Sequence, residues 1–135
     1  MNSIDFFSQD QFAARAGIRL LSVGPGYAMA EMPITPHVLN ASGFCQGGAI
    51  FTLADLTFAA AVNTHERLTV SVNSSIVFLR GVDHGTLHAE ARELANHPKL
   101  PFAEVRITDD EGQLVAMFTG SGYRKRAALP FTKPE

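Results

Sequence analysis

One carboxylate stands alone in the middle of this chain. Asp55 is the only Asp, Glu, Lys or Arg between Glu31 and Glu66. It lies in the run from Ala49 to Asn63, which has no Pro or Gly and begins straight after Gly47 and Gly48. The run is too long for a strand and predicts a helix that is apolar nearly all round, hence buried. Helical spacing puts Asp55 on one face with Phe51, Phe58, Ala59 and Val62. A carboxylate there is costly to desolvate, so its pKa should rise and make it a stronger base or nucleophile. The competing reading is a narrow wet stripe of Thr52, Asp55 and Asn63 on an otherwise core helix. At the start of the run, Gly47 and Gly48 offer unpaired backbone N–H groups and the positive end of the helix dipole to an incoming oxygen. Neither has a Cβ to block its approach. The same two glycines would also serve as nothing more than a tight turn.

Other reactive side chains form weaker patterns. Cys45 stands just before a helix N-terminus, where a thiol pKa falls, but no His with a base role lies nearby in sequence. Small buried cysteines are also common. His84 and His88 are four apart on a turn and a strand, without a third ligand nearby. His37, His65 and His97 fall in loops and show no relay. No metal site is expected.

The elements that must position these groups follow from punctuation and periodicity. Residues 3 to 16 predict a short amphipathic helix, with Ser3 as N-cap, apolar positions at Ile4, Phe7 and Phe12, and a stop at Gly17. Ile18 to Val23 and Tyr27 to Ile34 read as a hairpin about Gly24, Pro25 and Gly26. A polar loop with Pro36, Asn40, Ser42 and Gly43 leads into the central helix. Four strands follow: Leu68 to Leu79, Gly85 to Glu93, a stretch through Ala103, Val105 and Ile107, and Gln113 to Arg124. The second alternates cleanly, with Leu87, Ala89 and Ala91 on one side. The last is apolar on both faces, which predicts cover on both. Residues 127 to 135 read as a loose tail. The class is α+β, and a helix this apolar calls for a strongly curved antiparallel sheet wrapped around it. A second subunit would close what remains.

Composition narrows the function. At 135 residues the chain makes one domain with its own core. A net charge of −2 argues against nucleic-acid binding. The N-terminus lacks the basic and apolar segments of a signal peptide, and no stretch approaches a transmembrane span. A single cysteine cannot form an internal disulfide, which favours the reducing cytoplasm.

The order of elements, with Asn40-x5-Gln46-Gly47-Gly48-x6-Asp55, resembles the PaaI-like branch of hotdog-fold acyl-CoA thioesterases. That branch carries Asn-x5-His-Gly-Gly-x6-Asp, then a Ser/Thr-rich strand and a Phe-Leu-Arg-Pro-like segment. Here the strand ends in Phe78, Leu79 and Arg80, and the likeness runs from about residue 10 to 125. Two positions depart from the pattern: Gln46 replaces the His, and Gly81 replaces the Pro, where it should alter only a turn. The resemblance implies a hotdog fold and hydrolysis of an aryl- or fatty-acyl-CoA. It implies a homodimer, pairing into a tetramer, with the site at the dimer interface and no metal or organic cofactor. The Gly47 N–H would grip the thioester carbonyl, and Asp55 would act on a thioester held by the neighbouring chain. Asn40 and Ser71 would position water or the acyl group, although Asn40 alone also fits a loop-closing turn and Ser71 a structural strand residue. Gln46 can orient a loop or donate a hydrogen bond but cannot carry a proton. A thiol leaving group needs little acid help, so activity should be weakened or redirected rather than lost. Gly48 would line the substrate site, and Arg80, Arg124 and Lys125 are candidate contacts for coenzyme A phosphates. Two rivals remain: an acyl-CoA-binding or regulatory module that has lost catalysis, and a hydratase or dehydratase of the same fold. The second needs a His that the central helix lacks.

Overall fold

The computed structural model describes residues 1–135. Two short helices, α1 (Ser3–Phe7) and α2 (Gln11–Arg15), precede the hairpin β1 (Arg19–Gly24) and β2 (Tyr27–Pro33). A 3₁₀ turn at Pro36–Val38 leads to the central helix α3 (Gly47–Val62). Strands β3 (Arg67–Phe78), β4 (Thr86–Ala95), β5 (Phe102–Thr108) and β6 (Leu114–Ala128) follow. All six strands form one antiparallel sheet in the order β1-β2-β4-β5-β6-β3.

The sheet packs around α3, which touches every strand and lies deepest over β2, β4 and β5. Small residues permit that closeness. Ala28, Ala30, Leu87, Ala89, Ala91, Ala103, Val105 and Ile107 point inward and are buried, against Leu53, Thr57, Ala60 and Ala61 of the helix. Where β6 passes beneath, a Cβ on Gly120 would stand 3.0 Å from the Phe58 and Phe118 rings, so that crossing favours glycine. This is the hotdog arrangement expected from the sequence, and the hairpin and the clean alternation of β4 are as read.

Several expectations change. The helix predicted over 3–16 is two helices, because Asp10 takes an extended conformation and caps the second, accepting from Ala13 N–H at 3.0 Å. Asn2 rather than Ser3 caps the first, in a capping box with Asp5. The last strand continues to Ala128, and the tail beyond it is tied down. Thr132 bridges to Asn2, and Phe131 buries its ring against Phe6 and Phe7 at 4.9 and 5.7 Å between centroids. Nor is β6 covered on both faces: Met117, Thr119 and Ser121 are only half-buried on the side away from the helix.

The edge strand β3 is the anomaly. It pairs only with β6, and Val70, Val72, Val77 and Phe78 are exposed along it. Native sheets seldom leave so long an apolar edge uncovered.

Candidate active site

Helix α3 sets the geometry. Its first two N–H groups, on Gly47 and Gly48, donate to no backbone carbonyl and to no side chain, so they are free for a ligand. Gln46 is the N-cap: its Oε1 accepts from Ala49 N–H at 3.2 Å. That side chain folds back across the turn, and a Cβ on Gly48 would stand 2.6 Å from Gln46 Oε1. Gly48 therefore leaves room for the cap. At Gly47 a Cβ would stand 3.1 Å from Phe78 Cζ, so the Phe78 ring borders the free N–H.

Asp55 is half-buried two turns along the helix and makes no hydrogen bond or ion pair. Burial lifts its pKa above the ordinary carboxylate value, and the negative charge of Asp10 lifts it further. The wet-stripe reading fails at Asn63, which is buried, but not at Thr52, which is half-buried like Asp55. Thr52 Oγ1 bonds back to Gly48 O at 2.8 Å. Asn63 is buried, donates to Ala59 O and Thr69 O, and accepts from Thr69 N–H at 2.7 Å. Asp55 is the polar group on this helix whose side chain has no partner.

Asn40 shares a cleft of about 650 Å³ with Gly47, Phe44, Phe78 and Arg80. Its Oδ1 accepts from Ser42 N–H and Phe44 N–H, which closes the loop as an Asx turn and leaves the Nδ2 amide free to donate. Gly81, in the position of the missing Pro, lets the Phe44 ring approach closely. Ser71 lies on the edge strand, its Oγ 3.5 Å from Ser74 Oγ, next to an irregularity between Ser71 and Asn73. Within one chain Asp55 does not join this cleft. Residues 47 and 55 are about 12 Å apart along the helix axis.

The cationic candidates fare unevenly. Arg80 lines the cleft but pairs with Asp109 at 3.0 Å, beside an acidic corner of Asp83, Asp110 and Glu111. Arg124 donates to Asn96 Oδ1 at 2.7 Å. Lys125 is exposed, and both lie within β6, which runs four residues beyond the expected end at Arg124. Cys45 is buried and its thiol is pushed up to about 11, opposite to what a helix-start nucleophile needs. His84 pairs with Asp83 and His88 with Asp110, and no three such side chains converge as a metal site.

The thioesterase superfamily model matches residues 42–116, which hold Gln46, Gly47, Gly48, Asp55, Ser71 and Arg80. The acyl-coenzyme A thioesterase PaaI of Escherichia coli is 32% identical over 124 residues, covering 91% of this chain and 89% of that protein. The chain belongs to the thioesterase superfamily. The structure of the E. coli PaaI protein from the phenylacetic acid degradation operon superimposes with a TM-score of 0.88 at 30% identity, covering 94% of this chain and 93% of that one. A mutant of the phenylacetic acid degradation protein PaaI from Thermus thermophilus gives 0.82 at 28% identity, covering 86% of this chain and all of that one, 100%. This is a PaaI-like hotdog thioesterase, a thioester hydrolase.

Sequence reasoning misses three residues near the candidate site. Phe78 over Gly47 is a contact across 31 positions, invisible to local pattern. Asp10, whose charge reaches Asp55, is readable as a helix cap but not as a neighbour of α3. Arg15, in the last turn of α2, lines a cleft with Gln46 and Gly48, a juxtaposition across 31 positions or more that no local pattern marks.

Proposed function

We propose that this thioesterase hydrolyses acyl-CoA at a site completed by two copies of the chain. The observation that carries the proposal is an Asp55 carboxylate without a partner, about 12 Å along one helix from unpaired N–H groups that await one. Two antiparallel copies of α3 bring Asp55 of one opposite Gly47 of the other. The exposed apolar edge of β3 is a surface through which two such sheets join.

In this reading the thioester oxygen takes the free Gly47 N–H, whose helix dipole favours the charge that develops there. Asn40 Nδ2 lies in the same cleft and donates to water or the acyl group, and Ser71 helps to hold the reactants. Asp55 activates water or attacks the carbonyl directly. The tetrahedral intermediate then expels coenzyme A as thiolate, water supplies the second carboxyl oxygen, and the thiolate takes up a proton. No acid beyond solvent is required for so good a leaving group.

The test is release of free thiol from a panel of aryl- and fatty-acyl-CoAs, with Asp55→Asn as control. Hydrolysis that vanishes in the variant supports the proposal. Tight binding without turnover on every substrate supports the binding-module reading, which the capping role of Gln46 favours: its oxygen is taken up by the helix and its NH2 group can donate a hydrogen bond but cannot exchange a proton in catalysis. Hydration of an enoyl-CoA with the thioester left intact would instead mark a lyase.

A further inference from the structure

Helix α2 lies against α3, and between them and the loop before α3 is a cavity of about 500 Å³. Phe12, Ala16, Val38, Leu39 and Ala49 give it a mostly apolar lining, and Arg15, His37 and Gln46 give it a polar one. It opens beside Gly48, one residue from the N–H assigned to the thioester.

Arg15 is unlike the other cations that line clefts. Arg19 pairs with Glu31, Arg80 with Asp109 and Lys133 with Glu66. Arg15 is exposed at the mouth of this cavity and makes no ion pair and no hydrogen bond from its guanidinium. An unpaired guanidinium at the edge of an apolar cavity complements a ligand with an apolar body and an anionic end. Coenzyme A phosphates are anionic too, but five apolar residues of nine suit them less well than an organic acid.

We infer that the α2–α3 cavity receives the acyl group and that Arg15, flanked by His37, selects acyl groups bearing a carboxylate remote from the thioester. The inference rests on the thioesterase reading and names its substrate class.

The experiment compares two CoA thioesters of one size, with and without a distal carboxylate, and the pantetheine thioesters of the same two acids. The native chain should prefer the acidic acyl group in kcat/KM by about tenfold, chiefly through KM, with either carrier. Arg15→Gln should bring that ratio to about one, and Arg15→Lys should restore part of it. A ratio that Arg15→Gln leaves unchanged overturns the inference. So does a loss shared by both CoA thioesters and absent from both pantetheine thioesters, because Arg15 would then be reading phosphates. Failure to hydrolyse any of the four would instead sink the thioesterase reading itself.

Discussion

Gln46 closes the start of α3 by accepting the Ala49 N–H through its Oε1, 3.2 Å away. The residue at the usual His position is thus a helix cap. Gln46→Ala should cost about 0.5–1 kcal/mol in denaturant unfolding, since it frees one N–H at the helix start. Gln46→His keeps an acceptor nitrogen for Ala49 and adds a group that can exchange a proton. Its turnover of acyl-CoA should rise above that of the native chain. Unchanged kinetics with unchanged stability would show the position to be purely structural.

Gly47 has no Cβ, and the Phe78 ring stands 3.1 Å from where one would be. Gly47→Ala keeps the N–H but crowds the approach to it. Stability should change by less than about 1 kcal/mol, because Ala is the better helix former and offsets the crowding. Activity should fall by about tenfold or more, since small misplacement at a reacting centre is expensive. Adding Phe78→Leu should recover part of the loss. No recovery would mean that the methyl group itself, and not the displaced ring, blocks the carbonyl.

Asp55 has a pKa raised by burial and then by Asp10, and this fixes the sign of two pH effects. As a base or nucleophile it must be ionised, so kcat/KM should decline with falling pH through a pKa above the ordinary carboxylate value. Asp10→Asn should move that limb to lower pH. In folding, a raised pKa means the folded chain holds a proton that the unfolded chain has released. Stability is therefore lost as pH rises from the unfolded to the folded pKa and stays lower above it. Asp55→Asn should cut turnover by about a hundredfold or more, and yet melt higher than the native chain at pH 7. That thermal gain should vanish below both pKa values. A variant that is inactive and also less stable at neutral pH would mean that Asp55 is a structural residue.

Much of this is legible in the residues. The central helix and its isolated carboxylate stand out because an apolar run with one charge has a single helical explanation. The hairpin is marked by Gly24, Pro25 and Gly26. What escapes the sequence is long-range. Phe131 finds its partners at Phe6 and Phe7, at the other end of the chain, so no local pattern marks the tail as docked. Arg80 reads as a free phosphate contact, but its partner Asp109 comes from a turn 29 residues on. The split at Asp10 is available from the cap signal alone. It is masked because Ile4, Phe7 and Phe12 fit one helical face well enough to bridge the break.

The edge of β3 supplies the most direct test of the two-copy site. Val72 and Val77 are 57% and 55% exposed on a strand that pairs on one side only. A lysine on such an edge repels a second copy of itself and blunts strand pairing. Val72→Lys with Val77→Lys should therefore sediment as a monomer at concentrations where the native chain is associated. Its far-ultraviolet circular dichroism should be unchanged, because neither side chain lies in the core. Activity per chain should fall at least tenfold at low concentration and recover as concentration rises, following mass action. A monomer with full activity would overturn the two-copy site, because Asp55 and the Gly47 N–H would then have to act from one chain across about 12 Å of helix.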